Sequence, residues 1–177
     1  ILTWLSGARK KIGLGSKEGS QWLMHQVIDR DSGDTEMIGS EYRWLCQQLH
    51  LPTSPWQMTM GASEQAISNV DTLIKENINS SYIVICPFTT RPQKHWLDNG
   101  WQQLIPKLVA LNSKVIMLGG PGDIDHAERL ISSELVTETN NKLINLVGKT
   151  SLQEAALLIQ QAQAVVGVDT GLTHMGH

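Results

Sequence analysis

The feature that most constrains this chain is an alternation that begins near residue 81. Short apolar, β-branched runs at residues 82–86, 114–118, 143–146 and 164–168 are separated by longer amphipathic segments. This alternation is typical of βαβ units, in which helices connect parallel strands. Because the short runs are apolar throughout, we expect a sheet that is covered by helices on both faces. The sequence therefore predicts an α/β domain built on a parallel sheet.

Three helices are predicted between these strands. The apolar face of the first contains Trp101, Leu104, Leu108 and Leu111, and Pro106 is expected to kink that helix or delay its start. Asp123 is predicted to cap the second helix. Its inward residues would be Ile124, Ala127, Leu130 and Ile131. The third begins with the capping box Ser151-Leu152-Gln153-Glu154 and would turn Ala155, Leu158 and Ile159 inward.

The first 80 residues are less regular. We expect a strand within residues 10–14, a helix from Ser40 to about Leu49, a linker at residues 51–55 and a helix capped by Ser63. That last helix would carry Ile67, Val70 and Ile74 inward. Since the chain starts at Ile1 and stops as a new helix begins, we expect a piece of a larger protein. The predicted domains are residues 1–55 and residues 56–177, the second truncated at its C-terminus.

Composition excludes some classes of protein. With 41% apolar and 18% charged residues, the 177-residue chain can bury a core. A net charge of -3 argues against nucleic acid as a partner. No apolar run reaches the ~20 residues that span a bilayer, and no segment resembles a signal peptide. Cys46 and Cys86 lack metal-ligand spacing, which fits a reducing cytoplasm, and Cys86 is predicted to pack as a small hydrophobic residue.

The last predicted strand runs directly into Asp169-Thr170-Gly171-Leu172-Thr173-His174. Ligands of open α/β sheets bind at this edge, where strands end. A helix that begins near Gly171 would direct free N–H groups at an anion, which favours a phosphate or diphosphate ligand. In the alternative interpretation, Asp169 and Thr170 only cap that helix.

A second polar segment, residues 87–96, follows the strand at residues 82–86 and therefore lies on the same edge. Thr89 and Thr90 can donate hydrogen bonds to phosphate oxygens, and Lys94 supplies a compact positive charge. Two segments on one edge can share one ligand. The structural alternative is a solvated loop whose Trp96 packs into the core.

Other motifs indicate a function less specifically. The turn Gly119-Gly120-Pro121-Gly122-Asp123-Ile124-Asp125 matches neither a dinucleotide fingerprint nor a Walker A loop. Its Asp-x-Asp could hold a divalent metal or a ribose hydroxyl, although Asp123 also suits a helix cap. The six histidines show no zinc spacing, and His25, His50 and His126 are predicted to lie at the surface. No Gly-x-Ser-x-Gly motif supports a serine hydrolase.

The two motifs together resemble glycosyltransferase family 9, the heptosyltransferases of lipopolysaccharide synthesis. Thr89-Thr90-Arg91 with Lys94-His95-Trp96 is followed about 80 residues later by Asp169 to His174, and residues 115–121 are also similar to that family. The Thr-Thr-Arg form is similar to the type I branch, which adds heptose to the Kdo of the inner core. The likeness covers residues 81–177 well and residues 1–50 more weakly.

The resemblance implies a GT-B fold, of which this chain would be chiefly the second, Rossmann-like domain that binds the nucleotide-sugar. The donor-binding residues would be Thr89, Thr90, Lys94, Asp169, Thr170, Gly171, Leu172 and His174. Lys94 would also act in catalysis. Asp123 or Asp125 would correspond to the ribose-binding acid, and Met117 and Thr150 would border the adenine pocket.

The family also implies a reaction: inverting transfer of heptose from ADP-heptose, without a cofactor or essential metal. The acceptor would be lipid-linked Kdo at the inner-membrane surface, which implies a cytoplasmic enzyme that is peripheral on that membrane. The family's catalytic Asp lies near the start of the first domain and matches no residue here, so the piece alone would be inactive. Alternatives that remain are a GT-B transferase with another nucleotide-sugar and a non-catalytic nucleotide-binding module.

Overall fold

The computed structural model describes residues 5–15, 17–29, 40–53, 59–111 and 113–176. The chain divides into two compact units, Ile1–Thr59 and Met60–His177. The predicted boundary between residues 55 and 56, and the last two residues of the linker predicted at residues 51–55, lie outside the described residues.

In the first unit, two short strands, β1 (Ile12–Leu14) and β2 (Gln26–Ile28), pair in parallel with Ile12 opposite Gln26. The 3-10 helix Lys17–Leu23 connects them. The helix α1 (Ser40–Gln48) follows and contacts β1. The strand and the helix predicted from the sequence are both present, within two residues of their expected ends.

The second unit contains a four-stranded sheet of β3 (Tyr82–Cys86), β4 (Lys114–Met117), β5 (Leu143–Asn145) and β6 (Ala164–Gly167). The spatial order is β5-β4-β3-β6, and every pair is parallel. All four strands were predicted from their apolar runs. The α/β fold with a parallel sheet is therefore confirmed.

Helices cover both faces of this sheet. They are α2 (Glu64–Leu73), α3 (Asp98–Val109), α4 (Ile124–Leu130), α5 (Ser133–Thr139), α6 (Leu152–Gln160) and the single turn α7 (Gly171–His174). A π-helical segment, Ile74–Ile78, extends α2. The helices α2 and α6 contact each other, and α3 contacts α4, α5 and β4.

Two buried clusters, one on each face, hold these layers together. Alternate residues of β3 separate between them, because successive side chains of a strand point to opposite faces. Val84 and Cys86 join the cluster under α2 and α6, whereas Ile85 joins the cluster under α3. At the edge of the first cluster, the Tyr82 hydroxyl donates to the Leu158 carbonyl at 2.9 Å, and burial raises the pKa of Tyr82 to about 12.

Pro106 does not delay the start of α3, one of the two effects predicted for it, because the helix begins at Asp98 and continues to Val109. A proline inside a helix costs about 3 kcal/mol. Burial of an apolar side chain contributes about 1.5–3 kcal/mol, and Trp101 and Ile105 are both buried on this helix. Packing therefore outweighs the lost hydrogen bond. Leu111 is not inward as predicted: it lies beyond the helix and is 67% exposed.

The helix-cap predictions have mixed outcomes. Ser63 accepts a hydrogen bond from the Ala66 N–H, and Ser151 and Glu154 form the predicted capping box. Asp123 stands at the N-cap position of α4, as predicted, but its side chain does not cap that helix: the carboxylate accepts from the Gly120 N–H at 2.8 Å and closes the 3-10 turn Pro121–Asp123. Ile67 is exposed, since Ala66 and Val70 form the buried face of α2.

Candidate functional site: a polar cleft where the sheet order reverses

The segments that follow β3 and β6 meet at the carboxyl edge of the sheet. The two strands are neighbours, with Cys86 opposite Gly167, and the Val168 N–H continues the ladder to the Cys86 carbonyl at 3.1 Å. The chain leaves β3 toward β4 on one side, while β6 lies on the other side. The connections therefore diverge between β3 and β6, and such a switch point is where open α/β sheets bind ligands.

A cleft of about 270 Å³ opens at this switch point. It is lined by Thr89, Thr90, Arg91, Lys94, Asp169, Thr170, Gly171 and His174. Seven of the eight residues expected to bind the donor are therefore brought together. The eighth, Leu172, is half-buried and packs on the core cluster under α2 and α6. The sequence did not assign a role to Arg91, although its place in the first motif could have suggested one.

The Asp169 carboxylate links the two segments. It forms an ion pair with Lys94, and its other oxygen accepts a hydrogen bond from His174 Nε2 at 2.9 Å. The hydrogen bond from Lys94 lowers the pKa of Asp169, with further contributions from the His174 hydrogen bond and the Lys94 charge. The ion pair therefore holds the Lys94 side chain against Asp169 in the cleft.

A network around Thr89 fixes the segment after β3. The Thr89 hydroxyl donates to the Asp169 carbonyl and accepts from the Arg91 N–H, each at 3.4 Å. The Thr89 carbonyl accepts from His95 Nε2 at 2.8 Å, and since a carbonyl only accepts, this nitrogen carries the hydrogen. Thr89 is thus tied to both segments of the cleft.

His95 stacks on a second histidine outside the cleft. The His95 and His126 ring centres are 5.5 Å apart and inclined by 29°, and His126 also lies 5.1 Å from the Phe88 ring. His126 Nε2 contacts the Asp98 carboxylate at 2.8 Å. The prediction that His126 is a simple surface residue is therefore wrong: it is half-buried and connects α4 to the start of α3.

The segment after β6 turns sharply into α7. Thr170 precedes the helix with extended dihedral angles (φ -143°, ψ 158°) and makes no side-chain cap. Capping by Thr170, the structural alternative, is thus wrong. A Cβ at Gly171 would meet nothing within 4 Å, so the space above this glycine is open.

Gly167 permits the close return of α7 over the end of β3. A Cβ at this position would lie 2.1 Å from Thr173 Oγ1 and 2.9 Å from Cys86 Cβ. Cys86 is buried as predicted, and burial raises the pKa of its thiol to about 12, partly offset by the Thr173 hydroxyl. The floor of the site is therefore uncharged and tightly packed.

The remaining candidates lie elsewhere. Met117 is fully buried beneath α3 and does not line the cleft, and its place beside an adenine pocket stays a prediction. Asp123 closes its own turn, Asp125 is exposed on α4, and Thr150 is half-buried after β5; none of the three lines the cleft. Within the described ranges, no group of three or more His, Cys, Asp or Glu could hold a metal ion.

No helix among the described residues is both long and apolar enough to cross a bilayer.

In the segment after β3, Trp96 is 46% exposed and rests edge-on against Trp101, with 5.1 Å between the ring centres. Trp96 therefore contacts a core residue, as the structural alternative predicted, but its own side chain is not buried in the core.

Comparison with solved structures places the fold. A glycosyl transferase family 9 structure from Veillonella parvula superposes with a TM-score of 0.76 at 18% identity, covering 99% of this chain and 49% of that chain. ADP-heptose lps heptosyltransferase II of E. coli gives 0.71 at 22% identity and covers 97% and 54%. E. coli heptosyltransferase WaaC, solved with ADP, gives 0.63 at 24% identity and covers 94% and 51%. The chain spans about half of each.

Sequence relatives point the same way. Lipopolysaccharide heptosyltransferase 1 of Escherichia coli K12 is 33% identical over 95 residues, which are 53% of this chain and 28% of that protein. Lipopolysaccharide heptosyltransferase 2 of the same strain is 30% identical over 84 residues, 48% and 24% respectively. The family pattern described as glycosyltransferase family 9 (heptosyltransferase) matches residues 1–177. The chain, its switch-point cleft included, thus belongs to glycosyltransferase family 9.

Proposed function

We propose that this chain is the nucleotide-sugar-binding part of a heptosyltransferase, and that its cleft binds the diphosphate of ADP-heptose. The observation that carries the proposal is the convergence of hydroxyls, positive charge and an imidazole from two distant segments at the sheet switch point. Thr89 and Lys94 come from one segment, and Thr170 and His174 come from the other. A diphosphate needs hydrogen-bond donors and positive charge together, and this cleft offers both.

The proposed reaction is transfer of heptose, with inversion, to the Kdo of the lipopolysaccharide inner core. As the bond to the sugar breaks, negative charge grows on the departing ADP. Lys94 would stabilise that charge where it develops, and Asp169 would hold Lys94 in place before the donor arrives, through the ion pair between them. Preorganised charges of this kind are typically the largest catalytic contribution of an enzyme.

The acceptor side of the proposal rests on the relatives. Heptosyltransferases 1 and 2 of E. coli are 33% and 30% identical to this chain, so both types are close relatives. We favour type I because of Thr89-Thr90-Arg91. The proposed acceptor is lipid-linked Kdo at the cytoplasmic face of the inner membrane, the catalytic base would be an Asp outside this sequence, and no essential metal is expected.

Titration calorimetry of the full chain with ADP, UDP and GDP tests the proposal. We expect ADP to bind most tightly, because a solved relative of this fold holds ADP. A preference for UDP would instead identify a transferase that uses another nucleotide-sugar. If the complete protein binds ADP but transfers no sugar, the chain belongs instead to a non-catalytic nucleotide-binding module.

A further inference from the structure

Arg91 lines the same cleft as Lys94, at the other end of the 3-10 turn Pro92–Lys94. The Lys94 N–H donates to the Arg91 carbonyl at 2.9 Å, which closes the turn. Both residues therefore line one cleft from the two ends of the same turn.

The backbone of Arg91 is fixed on both sides. A residue before proline is restricted to extended conformations, and Arg91 has φ -109° and ψ 111° before Pro92. Its N–H donates to the Thr89 hydroxyl at 3.4 Å. The guanidinium thus projects from an anchored position in the chain.

The two cations differ in their charge balance. Lys94 is paired with the Asp169 carboxylate. Arg91 forms no ion pair with any residue that the structure describes. The positive charge of Lys94 is therefore compensated within the cleft, whereas that of Arg91 is available to an incoming anion.

We propose, on the basis of the proposed function, that Arg91 and Lys94 bind the two phosphates of the nucleoside diphosphate separately. Arg91 takes one phosphate through paired N–H donors, the geometry to which a planar guanidinium is suited. Lys94 takes the other as a point charge, when that phosphate replaces Asp169 as its counter-ion. The cleft is in this way matched to a diphosphate.

A double-mutant cycle on the full chain, measured by calorimetric titration with ADP, tests this assignment. Arg91→Ala is expected to weaken ADP binding about tenfold or more, as the loss of charged hydrogen bonds does. Arg91→Lys should lose less, because it keeps the charge. Since each residue would hold its own phosphate, neither substitution removes the contact made by the other, and the double variant with Lys94→Ala should bind ADP more weakly than either single variant.

The matched control is Arg129→Ala, because Arg129 is exposed on α4 and does not line the cleft. An Arg91→Ala loss no larger than that of Arg129→Ala would overturn the assignment, as would a double variant no weaker than Lys94→Ala. Thermal unfolding confirms that each variant is folded.

The outcomes separate this inference from the proposed function. If the wild-type chain prefers UDP, the heptose assignment fails, and the same variants test Arg91 with UDP. If the wild-type chain binds ADP and Arg91→Ala behaves like Arg129→Ala, only the role of Arg91 fails. A wild-type chain that binds no nucleoside diphosphate would overturn both.

Discussion

The turns that follow β4 and β6 are similar in sequence but differ in what their acidic residues contact. Each turn joins a strand of the sheet to a helix and contains glycine and aspartate. After β4, the Asp123 carboxylate accepts from Gly120 three residues back. After β6, the Asp169 carboxylate contacts Lys94, which is 75 residues away in the chain. The same local chemistry thus closes a turn in one place and joins two segments into a cleft in the other.

The sheet order explains the difference. β4 lies between β3 and β5, whereas β6 adjoins β3 on the side where the connections diverge. The turn after β6 faces the segment after β3 across the cleft, whereas the turn after β4 packs closely against Phe88 of that segment. An acidic residue therefore acquires a long-range partner from its position in the sheet rather than from its neighbours in the sequence.

The largest effect is expected on the transfer rate, when Lys94, the distant partner of Asp169, is replaced. Lys94→Ala in the complete enzyme should reduce the transfer rate by about 10²-fold or more, as removal of a charge-stabilising group does. Steady-state transfer assays measure this. Lys107→Ala, an exposed lysine on α3 outside the cleft, is the control and should keep its activity. Near-normal turnover of Lys94→Ala would show that Lys94 has no catalytic role.

A smaller effect, on ADP affinity, should distinguish the two turns when a glycine of each is replaced by alanine. A Cβ at Gly171 or at Gly122 would meet nothing within 4 Å, so alanine should leave the free energy of unfolding nearly unchanged in both. Only Gly171 lines the cleft. Gly171→Ala should weaken ADP binding by roughly tenfold, because a methyl group in a packed site costs about 1–3 kcal/mol, and Gly122→Ala should not. Equal affinities in calorimetry would show that the ligand does not approach Gly171.

The smallest effect concerns the titration of Asp169. Its pKa is lowered in the folded protein, first by the hydrogen bond from Lys94. A lowered pKa means that ionised Asp169 favours the folded state above the ordinary aspartate value of about 4, and that this contribution is lost as the pH falls through the folded pKa. NMR titration of the side-chain carboxyl should show the midpoint rise in Lys94→Ala. An unchanged midpoint would mean that the ion pair is absent in solution.

The sequence predicted most of the second unit because its signals are local. Tyr82–Cys86 is an uninterrupted apolar run, and Ser151 with Glu154 is a complete capping box; both depend on residues within a few positions of each other. Two predictions were wrong for the opposite reason: that Pro106 delays the start of its helix, and that the Asp123 side chain caps α4. The burial of Trp101 and the 3-10 turn before α4 depend on what those segments pack against.

By itself, the sequence determined the α/β class, the four strands and the residues with chemistry suited to a diphosphate, since residue type and periodicity are properties of neighbouring positions. Only the tertiary structure decided that β6 lies beside β3, that Lys94 is paired with Asp169, and that Arg91 lines the same cleft. These facts depend on which strands become neighbours, and strand order is set by packing of the whole sheet, which no local segment encodes.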